Sequence, residues 1–245
     1  MESVLDRVIK QNTENVNLLK TKDYNIFSVL QIQSKEVLIC RMTADLLNPR
    51  GQHGAGAEYL KIFLRDCLGM EKMDTKLADQ AIVTAEYAID DERRIDIVIE
   101  IGSHFLPIEV KIYATDQKSQ CFDYYQYAKR RDAQAKVYYL TLDGHRPGKD
   151  STSSGNRSVT EEDIVCLSFR KHIINWLKAC KNCGNTGMIP ILEQFIRNIE
   201  QISGYTSERV RNMVIDELLT SGDSLRAGMQ IADSVNAAKA KLIYQ

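Results

Sequence analysis

The stretch from Arg94 to Lys111 leaves few folds open. Ile95, Ile97, Ile99 and Ile101 alternate with Arg94, Asp96, Val98 and Glu100, which is the period of a half-buried strand with the isoleucines facing one way. Gly102-Ser103 supplies a turn, after which Ile108, Val110 and Ile112 take one face of a second strand and Glu109 and Lys111 the other. Two β-rich runs joined by so short a turn predict a hairpin. The hairpin draws Asp96, Glu109 and Lys111 together on neighbouring strands. Carboxylates held that close repel and need a compensating charge. Such oxygen ligands suit Mg²⁺ or Mn²⁺, to which a protein usually gives one or two carboxylates while waters are retained. Lys111 beside the cation is placed to hold or deprotonate an attacking water and to stabilise charge on a phosphorus oxygen.

An aspartate followed by a strand with Glu-x-Lys, here Asp96…Glu109-Val110-Lys111, resembles the signature of the PD-(D/E)XK nuclease superfamily. The likeness extends to the flanks. Asp116-Gln117, Gln120 and Tyr124 resemble a helix bearing glutamine and tyrosine that follows the active site in one prokaryotic branch. Glu36, then Ala44-Asp45-Leu46-Leu47-Asn48-Pro49 and Gly51-Gln52-His53-Gly54, resemble the N-terminal blocks of that branch. Two positions depart from the pattern: Ile95 stands where the superfamily often has proline, and Cys40-Arg41 where the branch usually has a histidine.

The resemblance implies a restriction-endonuclease-like core and metal-dependent hydrolysis of phosphodiester bonds, foremost in DNA, in a defence or restriction-like setting. It implies that Asp96, Glu109 and the Val110 carbonyl hold Mg²⁺ or Mn²⁺, with Glu36 as a further ligand. Lys111 then positions the nucleophile, and Gln120 holds the lysine or a phosphate oxygen. Arg94, Gln117 and Tyr124 are the implied substrate contacts.

Around the hairpin the chain reads as alternating helices and strands. Val4, Leu5, Val8, Val16, Leu18 and Leu19 suggest an amphipathic helix over residues 1–24. Ser34 is the expected N-cap of a helix from Lys35 to Leu47, which Asn48-Pro49-Arg50-Gly51 breaks. The loop at 51–56 lacks the Lys-Ser/Thr of a phosphate-cradling P-loop and follows a helix, so it reads as a turn between helices, with His53 a capping residue. Residues 81–89 are the first strand. Its mid-strand Glu86 must face solvent or meet a cation, for which Arg93 and Arg94 are the nearest in sequence. Residues 116–132 have helical spacing that stacks Gln117, Gln120 and Tyr124 on one side. Strands are expected at 136–142 and 164–169, with a long loop at 145–160 between them that either grips a substrate strand or is mobile. Helices at 170–180 and 190–202 follow, the first carrying Trp176 on its core side, and a polar helical stretch begins at Ser207.

This order implies an α/β domain with a mixed central sheet flanked by helices. The expected organisation is an N-terminal helical segment at 1–30, a nuclease-like core at 31–182 and a C-terminal helical extension at 183–245. A formal net charge of -1 neither supports nor opposes a nucleic-acid partner. The charged start without an apolar core region, the lack of a membrane-length apolar run and scattered cysteines predict a cytoplasmic protein with free thiols. Cys180-x-x-Cys183 lacks the second ligand pair of a zinc site, with only His172 nearby. Two other readings compete with the enzyme. One is a nucleic-acid-binding module that keeps the fold without catalysis. The other is an assembly domain that meets a second copy or a partner protein through its C-terminal helices.

Overall fold

The computed structural model describes residues 24–71, 74–183, 185–204, 215–216 and 218–243. The helix expected over 1–24 lies outside the described residues apart from Tyr24, as does the start of the stretch from Ser207. The first elements are α1 (Ile26–Val29), α2 (Glu36–Leu47), α3 (Glu58–Asp66), α4 (Thr75–Asp79), β1 (Ile82–Ala88), β2 (Arg94–Ile101), β3 (His104–Lys111) and α5 (Gln120–Arg131). They are followed by β4 (Val137–Thr141), α6 (Lys149–Thr152), β5 (Ser153–Ser154), β6 (Arg157–Ser158), β7 (Ile164–Ser168), α7 (Ile174–Cys180) and α8 (Ile189–Ile202). Residues 25–205 form one compact unit. The last helix, α9 (Gly222–Ile243), belongs to another; it carries Asp223 in its first turn and exposes Leu225, Met229 and Ile231.

Five strands form a mixed sheet in the order β1-β2-β3-β4-β7. β1, β2 and β3 pair antiparallel, as the short turn at Gly102-Ser103 demands, and β3, β4 and β7 pair parallel. A parallel pair needs a crossover, and α5 supplies it between β3 and β4. The expected α/β class and mixed sheet are therefore present. α2 lies over β1, β2 and β3, while α5 lies over β3 and β4. The larger core joins Ile97, Ile99, Ile101, Ile108 and Val110 of the sheet to α2, α3, α7 and α8. Trp176 of α7 is fully buried there, edge-on to Phe63 with ring centroids 5.4 Å apart, and its indole N–H donates to the Tyr59 carbonyl at 2.8 Å. α8, placed in the extension by the sequence reading, gives Leu192, Phe195 and Ile199 to this core.

Two local expectations change. α2 starts at Glu36 behind Lys35, which makes no side-chain cap, and Ser34 sits in the preceding turn. The segment 145–160 holds α6 and the β5–β6 pair instead of running as open loop. The Gly51 loop is built around His53. The buried imidazole stacks on Tyr59, donates through Nε2 to the Asn48 carbonyl at 2.9 Å and accepts the Ala55 N–H through Nδ1 at 3.1 Å. A Cβ on Gly51 would stand 2.2 Å from the Asp45 carbonyl oxygen and 2.7 Å from the His53 ring. Gly51→Ala is expected to cost about 2 kcal/mol of stability, seen as a lower urea midpoint with an unchanged m-value. An unchanged midpoint would show that the loop shifts freely.

Candidate active site

The β1–β2–β3 ladder is irregular at one place, and the site lies there. β1 and β2 pair Ala85 with Ile97 and Tyr87 with Ile95, so Glu86 stands opposite Asp96, and neither is itself paired. Glu86 has φ 54°, in the left-handed region that a side chain with a Cβ rarely adopts. On one side of this point Ile97 packs in the larger core and Ala85 against it; on the other, Ile95 and Tyr87 pack with Phe105, Tyr124 and Ala128 in a second cluster. Both strands thus change face together. The expectation that Ile95 shares the face of Ile97 is corrected accordingly: the backbone reversal at Glu86 breaks the two-residue period. Glu86 pairs with Arg41 of α2 at 2.8 Å, not with Arg93 or Arg94.

The β2–β3 ladder ends at Ile97–Ile108, which leaves Asp96 and Glu109 as the next opposed positions. Asp96 is half-buried, and its Oδ2 accepts the Val110 N–H at 2.7 Å, so its carboxylate takes the place of a strand partner. Glu109 is 1% exposed: Oε1 lies 2.5 Å from the Lys111 ammonium, and Oε2 is buried without a hydrogen-bond partner. Burial, then the charge of Asp96, pushes the Glu109 carboxyl well above the usual carboxylate range, and burial raises Asp96 too. At Lys111, burial pulls the amine down, but the charge and hydrogen bond of Glu109, helped by Asp96 and Glu36, outweigh it and hold the group above its ordinary value. Lys111 is therefore an ammonium here. Glu36 stands at the rim, its Oε2 accepting the Ile112 N–H at 2.8 Å.

An orphaned, buried carboxylate oxygen beside a second carboxylate is a cation-seeking arrangement. Among the described residues no three carboxylate, imidazole or thiol groups converge as a ready-made cage. Asp96, Glu109 and the Val110 carbonyl nonetheless fit an ion that takes few protein ligands and keeps its waters. The thiol of Cys40 on α2 is buried close enough to feel the charges of Asp96, Glu36, Glu109 and Glu86; burial first, and then those charges, holds it neutral. Cys180 and Cys183 are free thiols, and Cys183 turns its sulfur to the Ala179 and Cys180 carbonyls.

The glutamine and tyrosine of α5 sit behind the acids. Tyr124 is 1% exposed, and its hydroxyl donates to the Arg94 carbonyl at 2.5 Å. Gln120, 5% exposed, donates through Nε2 to Tyr124 Oη at 3.1 Å and accepts the Gln117 N–H at 3.3 Å. In this arrangement the Gln120 amide binds Tyr124 and Gln117, not Lys111. The Arg94 side chain is exposed. Gln117 precedes the helix, and its side-chain oxygen accepts from Arg93 at 2.8 Å. Arg93 also donates to the Lys118 carbonyl at 2.6 Å and pairs with Asp123 at 3.2 Å. It clasps the segment that carries the chain from Lys111 into α5. Sequence reading missed this role, because nothing near Arg93 in the chain reveals partners this far along it.

The charges set a stability cost that can be measured. Asp96 and Glu109 set two acids against the one ammonium of Lys111 in a mostly buried place, an excess of one acid whose ionisation burial makes costly. Asp96→Asn keeps an oxygen acceptor for the Val110 N–H and removes that excess. With metal chelated, the variant is expected to be more stable by about 1 kcal/mol, read as a higher thermal midpoint. A lower midpoint would mean that the carboxylate is stabilising as it stands.

Residues 24–198 match the family model of the PD-(D/E)XK nuclease superfamily. A comparison with curated proteins finds no match. Among the described residues no helix is long and apolar enough to cross a membrane.

Proposed function

The chain belongs to the PD-(D/E)XK nuclease superfamily, and on that premise we propose that it hydrolyses phosphodiester bonds of DNA with Mg²⁺ or Mn²⁺ held by Asp96, Glu109 and the Val110 carbonyl. The superfamily typically uses a divalent metal. The observation that carries the reading is Glu109: a buried carboxylate with one oxygen on Lys111 and the other without a partner. When bound, the ion lowers the pKa of a coordinated water and offsets charge on the scissile phosphate.

The chain's own residues do the rest. Asp96, fixed to the Val110 N–H, keeps the two acids in register. Lys111, held as an ammonium, donates to the attacking water or to a phosphoryl oxygen and stabilises the charge that grows there. Glu36, whose Oε2 accepts the Ile112 N–H, would be a further ligand at the rim. Gln120 and Tyr124 act through the Arg94 carbonyl, holding the start of β2 against α5 so that Asp96 keeps its place. Arg94 and Gln117, both exposed, would be the substrate contacts in this reading. A defence or restriction-like role accords with the branch whose motifs the chain carries.

Cleavage of single- and double-stranded DNA with Mg²⁺, with Mn²⁺ and with chelator tests this. Cutting that needs the metal supports it. Inert protein that binds Mg²⁺ calorimetrically favours the non-catalytic binding module, and absence of both overturns the assignment.

A further inference from the structure

The sheet delivers a second group of residues to the end where Lys111 lies. Lys111 pairs with Thr141 at the close of the parallel β3–β4 ladder. The Thr141 hydroxyl then accepts the Gly144 N–H at 2.8 Å, so the segment that leaves β4 starts beside the lysine. That segment is fastened over the first turn of α5. Asp116 accepts the Tyr139 hydroxyl at 2.8 Å through one oxygen and the Gly148 N–H at 2.7 Å through the other. Ser119, left-handed at φ 57°, gives its N–H to the Asp150 carbonyl at 2.7 Å and its hydroxyl to the Ser153 carbonyl at 2.8 Å. These bonds hold the loop in one shape.

They also gather cations. Lys118 and Lys149 flank the Ser119–Asp150 bond, and Arg157, in register with Ser154, lays its guanidinium over the Phe122 ring at 5.3 Å. All three side chains are exposed, and among the described residues none is paired with a carboxylate. Of the nearby acids, Asp116 is bound as above, Asp143 is held by His145 at 2.6 Å, Asp123 by Arg93 at 3.2 Å and Glu161 faces Arg146 at 3.6 Å, while Asp150 and Glu162 are exposed. In a chain of formal net charge -1, these three cations carried by one braced segment are a local group of positive charge that the net figure does not show.

We infer that the ledge of Lys118, Lys149 and Arg157 binds the phosphodiester backbone of the nucleic-acid substrate and leads it to Lys111. The inference rests on the nuclease reading and adds where the backbone lies. A preformed ledge of point charges reads phosphates and not bases, so the contact is independent of sequence.

The test uses the full chain with metal chelated, and a labelled random-sequence duplex and its single strand as probes. Binding is followed between about 50 and 200 mM salt for the native protein and for Lys118→Gln/Lys149→Gln/Arg157→Gln. Each lost duplex contact is expected to flatten the slope of log K against log salt by about 0.9, roughly 2–3 in all, with affinity down at least about tenfold. Matched melting curves check that the variant folds. A variant that keeps the native slope and affinity overturns the ledge. If the native protein still cuts DNA when Mg²⁺ is restored, the nuclease reading survives that result. A native protein with no salt-dependent binding overturns the ledge as well, and the Mg²⁺ arm then decides the enzyme separately.

Discussion

Lys111→Ala is expected to slow metal-dependent DNA cleavage by at least about a hundredfold, because an oriented ammonium at the reacting phosphate is worth that much or more. The side chain is 7% exposed at the end of β3, its amine 2.5 Å from Glu109. The same change strands Glu109, and breaking a buried pair from one side destabilises. Lost cutting alone would therefore be ambiguous. Adding Glu109→Gln to Lys111→Ala separates the causes: the second change removes the stranded charge and is expected to recover the melting temperature without recovering cleavage. Lys111→Ala protein that cuts at the native rate would remove the lysine from the mechanism.

The largest expected effect on stability belongs to Trp176→Ala. The indole is fully buried between α3 and α7, edge-on to Phe63, and gives its N–H to the Tyr59 carbonyl. Truncation loses the ring and leaves a buried acceptor empty, at a cost of about 3–5 kcal/mol, which in a domain of this size is a fall of roughly 10–15 °C in melting temperature. Trp176→Phe keeps most of the volume and loses the donor, so it is expected to cost about 1–3 kcal/mol. A fall of only a degree or two for the alanine variant would mean that the core closes over the gap.

Much of this fold is legible in the sequence, for reasons that can be stated. Period-two alternation from Ile97 to Ile101 and from Leu106 to Ile112 reports a sheet face, and the short turn at Gly102 makes the two strands antiparallel neighbours. The hairpin that opposes Asp96 and Glu109 follows from that, and so does Lys111 beside Glu109. Local signals fail where a side chain answers to something distant. Ser34 has the right chemistry for a cap, yet the helix starts at Glu36, whose carboxylate reaches back to the Ile112 N–H. The helix expected from Asp116 begins only at Gln120, because Asp116 braces the Gly148 loop and Ser119 turns left-handed to meet it. The loop at 145–160 looks structureless in composition because its order comes from α5. The partner of Glu86 lies on a helix far back in the chain, and no window of sequence contains both.

The face change at Glu86 and Asp96 has a consequence for cooperative opening. Beyond it, Tyr87 and Ile95 pack with α5, while Ile97, Ile99 and Ile101 pack under α2. Amide protection should therefore be lower at Ile95 than at Ile97, Ile99 and Ile101. Lifting α5 from the sheet would uncover Tyr87, Ile95, Val98 and Phe105 and loosen the acid pair in one excursion, while the isoleucines on the α2 side stay closed. The catalytic candidates sit on the seam between the two packing clusters, where a small rearrangement would open a carboxylate without melting the sheet that holds it.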